Sequence, residues 1–340
     1  MNLLILGGTG FIGTHQVRYA LARGHRVTLF NRGRSAATAG DGVEHLIGDR
    51  DVGDYRSLAG RQFDACVDNA TLTPRWVRDV AQVLKCNIGH YTVISTTSVY
   101  ASDAEIGADE TATREAYTGT DAMAHTLAEV RANMSLYGPL KALCEDEAHR
   151  HFPGTTAVIR PGLIVGPGDE SDRFTYWPVR IARAEKGDGV LIPPRQHAVQ
   201  FIDVRDVAEW SVRVAEAKLT GNFNAKGPAY PLTMGAMLDS IREVVGNDAV
   251  FCEATTEFLS EHKVRMWSDL PVWIPDEGET AGAHRRSNAR AISAGLTYRP
   301  LATTVADTLA WWEKLPEARK TNLKTGLTRQ REAAVLAELG

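Results

Sequence analysis

The chain has 340 residues, with 38 Lys plus Arg against 42 Asp plus Glu and a formal net charge of −4. That length is enough for a full hydrophobic core, as one large domain or a domain with a smaller lobe, and without a basic excess wholesale nucleic-acid binding gets no support. Four scattered cysteines (Cys66, Cys86, Cys144, Cys252) form no Cys-x-x-Cys pair, and the apolar stretch at the N-terminus is too short to span a bilayer and lacks a charged leader. The expectation is a cytoplasmic protein with free thiols, no signal peptide and no membrane anchor.

In chain order, an apolar strand over residues 3–6 runs into Gly7, Gly10 and Gly13, and a helix over 15–23 stops at Gly24. Strands follow at 26–30, 43–47 and 63–68, then a helix at 74–84, a strand at 91–95, a helix at 140–149 and a strand at 156–160. This alternation implies a parallel sheet with helices on both faces. The fold class is therefore α/β, a Rossmann-type doubly wound parallel sheet with a smaller C-terminal lobe.

Glycine is needed at 7, 10 and 13 because side chains would block the tight turn and hold the backbone away from a pyrophosphate. The helix that starts at this loop offers free N–H groups and a partial positive charge to that phosphate. With a strand before and a helix after, the Gly-x-x-Gly-x-x-Gly spacing predicts a dinucleotide site. Residues 1–165 then form the dinucleotide-binding domain, and 166–340 are mainly a substrate-binding lobe with a C-terminal helix. Segments over 200–225, read as a helix at 203–217 and a strand at 221–225, return to the first domain. The charged stretch 314–338 reads as a solvated terminal helix.

Three further segments carry chemistry. Hydroxyls from Ser95 to Ser98 close the fifth strand, Tyr137 and Lys141 lie four apart, and Arg160-Pro161-Gly162 opens the segment after the sixth strand. Tyrosine and lysine at that spacing share one helical face, which sets an ammonium beside a phenol and lowers a pKa otherwise near 10. A phenolate takes the proton of a substrate hydroxyl as hydride leaves its carbon, and the reverse step protonates a carbonyl oxygen.

In this order, with the glycine loop, these motifs resemble the extended or atypical short-chain dehydrogenase/reductase superfamily, which includes the NAD-dependent epimerases and dehydratases, over residues 1–225. The resemblance implies Tyr137 as acid/base, Lys141 also as a ligand of the nicotinamide ribose, and Thr96 as the orienting hydroxyl, with Thr97 and Ser95 as rivals. It assigns to the cofactor Gly7, Thr9, Gly10, Phe11, Ile12 and Gly13 of the loop, then Asn31, Arg32 and Arg34, the turn Asp49–Arg50, Asn69 and Ala70, Lys141, and Pro161 and Ile164. The implied activity is NAD(P)-dependent hydride transfer at a secondary alcohol or carbonyl of a small molecule. One alternative is a sugar or nucleotide-sugar epimerase or dehydratase that retains NAD. Another is a non-enzymatic dinucleotide-sensing or RNA-associated protein, since the Asn31-Arg32-Gly33 turn resembles that of some chloroplast RNA-binding relatives.

The second strand ends without an acid to hold ribose hydroxyls, while Arg32 and Arg34 suit a 2′-phosphate. NADP is favoured on that ground, with NAD as the alternative. The helix after the fourth strand has Pro74-Arg75-Trp76 in place of the family's supporting asparagine, and Gln200 stands where nucleotide-sugar enzymes carry an arginine. Arg173, Tyr176, Trp177, His197 and Gln200 are the candidate substrate contacts, and the insert 101–136 reads as a lid. Cys144, Glu145, Glu147, His149 and His151 read as a solvated helix face, with no metal site. A small-molecule substrate is expected, with neither nucleic acid nor membrane as partner, and a homodimer by analogy.

Overall fold

A computed structural model of the chain describes residues 1–34 and 42–339. The first half contains β1 (Asn2–Leu6), α1 (Phe11–Ala22), β2 (Arg26–Asn31), β3 (Val43–Ile47), β4 (Ala65–Asp68), α2 (Pro74–Leu84) and β5 (Tyr91–Ile94). Next come α3 (Leu127–Ala132), α4 (Tyr137–His151), β6 (Thr156–Pro161), β7 (Leu163–Val165), α5 (Tyr176–Ala182), β8 (Gly189–Ile192) and β9 (Phe201–Asp203). The remainder is α6 (Val204–Glu216), β10 (Gly221–Ala225), α7 (Met234–Val245), β11 (Val250–Glu253), α8 (Thr256–Glu261), α9 (Ala289–Ser293), α10 (Leu301–Glu313), α11 (Glu317–Lys320) and α12 (Arg329–Leu339).

Seven strands form one parallel sheet in the order β10-β6-β5-β4-β1-β2-β3, the doubly wound arrangement expected from the alternation. The chain runs outward through β2 and β3 and then crosses back to β4, so the order reverses beside β1, where such sheets leave a crevice at their carboxyl ends. Alternate residues of β1 serve opposite faces. Leu3 and Ile5 pack with Val17 of α1 and Trp210 of α6, whereas Leu4 and Leu6 pack with Val77 of α2 and Cys144 of α4. Gly13 is forced by this packing, since a Cβ there would lie 2.6 Å from the Gly8 backbone.

Helix α4 starts at Tyr137, three residues earlier than the pattern suggests, because a turn over Met134–Leu136 already winds into it. Its first turn presses on the end of β5, and a Cβ at Gly138 would lie 2.2 Å from the Ser98 carbonyl oxygen. Pro139 lies in that first turn, where its missing N–H costs little.

Most of the rest builds a second core around Trp177, Ile192, Met237 and Trp273. The expected solvated terminal helix is corrected here. The segment breaks into α11 and α12, and α12 is built into the lobe: Glu332, 1% exposed, receives Arg180 Nε at 2.7 Å and the Leu191 N–H at 3.1 Å. No helix among the described residues is long and apolar enough to cross a membrane. Removing the Glu332 carboxylate strands a buried guanidinium, so Glu332→Ala is expected to cost about 3–5 kcal/mol in urea unfolding.

Candidate active site

A cleft opens at the carboxyl ends of β1, β2 and β4. Of the predicted cofactor residues, Gly7, Thr9, Asn31, Arg32, Arg34, Asp49, Arg50 and Ala70 line it, joined by Trp76 and by Leu127 and Arg131 of α3. Gly10 caps α1 without a side-chain bond, so the amides of the first turn, at Phe11 and Ile12, have no side-chain partner at the cap. Asn31 Oδ1 accepts the Gly33 N–H at 2.7 Å, but Asn31 Nδ2 and the Trp76 indole N–H are buried with no partner among the described residues. Asn69 donates to Gln16 at 2.7 Å, Pro161 ends β6, and Ile164 lies in β7 beside β9. Arg50 donates both guanidinium ends to Asp68, at 2.6 and 2.9 Å, and lies 5.3 Å over the Trp76 ring in the cleft lining.

At the end of β5, the Thr96 hydroxyl caps the next turn by accepting the Ser98 N–H at 3.1 Å and also lies against the Tyr137 phenol. Burial pushes the Tyr137 pKa above its usual 10.0, and the Thr96 hydrogen bond opposes that shift. Burial likewise lowers Lys141. Its ammonium donates to Thr71 Oγ1 and, at 2.7 Å, to the Ile94 carbonyl. The ammonium is thus tied to the end of β5, and burial is the leading influence on the phenol. Thr71 is the partner that sequence reading missed, having no motif around it. Of the three rival hydroxyls, Ser95 is turned away and donates to Glu145 at 2.5 Å.

Of the helix face read as solvated, Cys144 and Glu145, 0% exposed, and Glu147, 4% exposed, are instead buried, whereas His149 is exposed and His151 half-buried. Glu145 takes two hydrogen bonds from Arg160, at 3.0 and 2.7 Å, and one from Arg114 of the insert at 3.2 Å. Arg160 also donates to the Tyr100 hydroxyl, which in turn donates to Asn224 of β10 at 2.6 Å. Glu147 pairs with Arg150 and His151, and His149 meets Asn222.

The five candidate substrate contacts are not brought together. Tyr176 and Trp177 are buried in the second core, Trp177 donating to the Pro271 carbonyl, and are corrected to packing residues. His197 accepts from Trp273 at 2.9 Å and faces a surface cleft with Glu253 and Glu277. Gln200 spends both ends of its amide on the Arg286 backbone. Arg173 lies 5.2 Å over the Trp267 ring.

Residues 3–68 match the model of the NAD dependent epimerase/dehydratase family. The match falls on the segment that carries the glycine loop, and in it the chain is similar to the enzymes of that family, in line with the motif resemblance to the short-chain dehydrogenases/reductases. It is 26% identical over 296 residues to a 2-alkyl-3-oxoalkanoate reductase of Stenotrophomonas maltophilia, covering 78% of this chain and 83% of that one. A shorter match, 32% over 116 residues, covers 29% of this chain and 30% of chloroplast stem-loop binding protein of 41 kDa b from Arabidopsis thaliana. Among solved structures, the fold is shared with UDP-glucuronic acid 4-epimerase from Bacillus cereus in complex with NAD, at 14% identity and TM-score 0.62, covering 92% of this chain and 98% of that one.

Sequence reading also missed Lys226, which follows β10. It is 3% exposed, donates to the Ala283 carbonyl, and lies against Gly162 just beyond β6. Burial, with Arg286 nearby, brings its pKa down to about 7. A lysine lowered this far penalises the fold most at low pH, where it is charged in both states. The penalty shrinks as pH rises above 7 and the folded form alone sheds its proton. Lys226→Met is therefore expected to raise Tm at pH 6 and by visibly less at pH 9, as read by thermal melts.

Proposed function

We propose that this protein is an NADP(H)-dependent oxidoreductase acting at a secondary alcohol or carbonyl of a small molecule. The observation that carries this reading is the packing of α4 on the end of β5, where Lys141 donates to the Ile94 carbonyl at 2.7 Å and Gly138 presses on Ser98, which brings Tyr137, one helical turn from Lys141, to the strand end that bears Thr96, on the sheet edge that also carries the glycine-loop cleft. A dinucleotide fits the residues present. The first-turn amides of α1 lack a side-chain cap, and among the described residues the buried Asn31 Nδ2 and Trp76 N–H have no acceptor, which a ligand rich in oxygen and ring nitrogen would supply. The nicotinamide, when bound, supplies or accepts the hydride.

The chain's own residues handle the proton. Tyr137, kept protonated by burial at neutral pH, suits donation to a carbonyl oxygen, and the Thr96 hydroxyl polarises and orients that oxygen. Lys141 has three N–H groups; Thr71 and Ile94 take two, which leaves one for a ribose hydroxyl. Arg32 and Arg34, exposed at the cleft, favour a phosphorylated ribose and hence NADP over NAD.

A retained-NAD epimerase or dehydratase is the second reading, favoured by the fold shared with the Bacillus cereus epimerase. Gln200 counts against it for nucleotide sugars, since its amide is committed to Arg286 and offers no cation to a diphosphate. Net consumption of NADPH with a carbonyl substrate supports the first reading; substrate isomerisation without net consumption replaces it with the second.

Tyr137→Phe is expected to lower kcat by about 10²–10⁴-fold in NADPH consumption assays, and Thr96→Val by about tenfold. Unchanged turnover in Tyr137→Phe would sink the mechanism. The reduction rate should hold steady through neutral pH and fall only above the usual phenol range, because the protonated form is the donor and burial raises its pKa. A fall already between pH 7 and 8 would contradict this assignment.

A further inference from the structure

The insert between Tyr100 and Tyr137 reaches further than a lid over the reacting carbon would need to. Its helix α3 is anchored on the far end of the cleft, where the Leu127 N–H donates to the Asp51 carboxylate at 3.1 Å. A reciprocal cap between Thr126 and Glu129 fixes the start of the helix. Asp51 is itself held, since Arg75 of α2 donates to its carbonyl at 3.0 Å. Leu127 and Arg131 are four apart and so share one face, the face that lines the cleft with Arg32 and Arg34.

The charges around that end are unequally matched. Arg50 is neutralised by Asp68, and Asp51 faces both Arg75 and the α3 amide. Arg131 is exposed at the cleft and has no ion-pair partner among the described residues. Arg32 and Arg34 are exposed at the same cleft. Three guanidinium groups thus line a cleft whose nearby carboxylates, Asp49 and Asp51, already hold backbone amides, and a phosphate monoester, with charge near −2, matches their forked donors.

We infer that Arg131 is a cofactor-specificity residue: together with Arg32 and Arg34 it forms a three-arginine clamp on the 2′-phosphate of NADP. The insert, and not only the end of β2, then contributes to the choice between the two dinucleotides. This inference rests on the dinucleotide reading given above.

The test is fluorescence titration of the full chain and of Arg131→Ala with NADPH and with NADH, repeated with 2′,5′-ADP and with 5′-AMP as fragments. The position is exposed, so equal thermal melts of the two proteins establish that folding is unaffected. Arg131→Ala is expected to weaken NADPH and 2′,5′-ADP by about tenfold while moving NADH and 5′-AMP by less than about twofold. Arg131→Lys should recover part of the loss, and added salt should narrow the gap between wild type and variant. An NADPH affinity unchanged in Arg131→Ala overturns the inference, as does an equal loss for both dinucleotides. If the wild-type protein binds neither dinucleotide, the dinucleotide reading falls and the inference with it; binding by wild type without selective loss in the variant removes the inference alone.

Discussion

Much of the candidate site hangs on one buried ion pair, Glu145 with Arg160, each about 1% exposed. Two charges removed from water are costly unless every lone pair and N–H finds a partner. Here Ser95, Arg114, Tyr100 and the Glu110 carbonyl meet that need. The pair itself joins α4 to β6, and its partners come from the end of β5, the turn that follows it and the insert. The pair thereby fixes how the strand bearing Thr96 stands against the helix bearing Tyr137 and Lys141. A loosened pair would disturb the spacing of all three groups without touching any of them.

The same pair marks where sequence reading stopped being enough. Strands and the glycine loop were legible because their signals are local: a run of apolar residues, a turn that tolerates only glycine, a helix that follows. Residues 15–23 already read as helix, and α1 differs mainly in where it begins, at Phe11. Glu145 and Glu147 on α4 looked solvated because charged residues usually are. Glu145 is buried because the insert and β6 close over it through Arg114 and Arg160, and packing between segments far apart in sequence leaves no periodic trace. Tyr176 and Trp177 failed for the converse reason. Their place after the Gly-Pro-Gly turn suggested a substrate loop, yet two large aromatics are what a second core needs, and α5 gives them to it.

The Tyr137–Lys141 spacing was readable, but its electrostatics were not. Helical geometry sets the two residues on one face, and a cation near a phenol lowers its pKa. Lys141 finds stronger acceptors at Thr71 and Ile94, so burial dominates the phenol. Gln200 shows a related economy of cations. Where an arginine would carry charge toward substrate, an amide holds the backbone of Arg286 in place, and Arg286 stacks 4.0 Å over Tyr100.

The outermost strand on one side of the main sheet is β10, which pairs along its length with β6 although it lies some way down the chain. During synthesis the first six strands of that sheet emerge well before their last neighbour. Until β10 arrives, β6 presents a bare edge of unpaired N–H and C=O groups, open to pairing with any other strand nearby. The second lobe begins in the interval, so it starts to form while the sheet is still unfinished. A nascent chain of this design would have most need of a chaperone in that interval, and a fragment cut at the apparent domain boundary would expose a sticky edge rather than a finished nucleotide-binding domain.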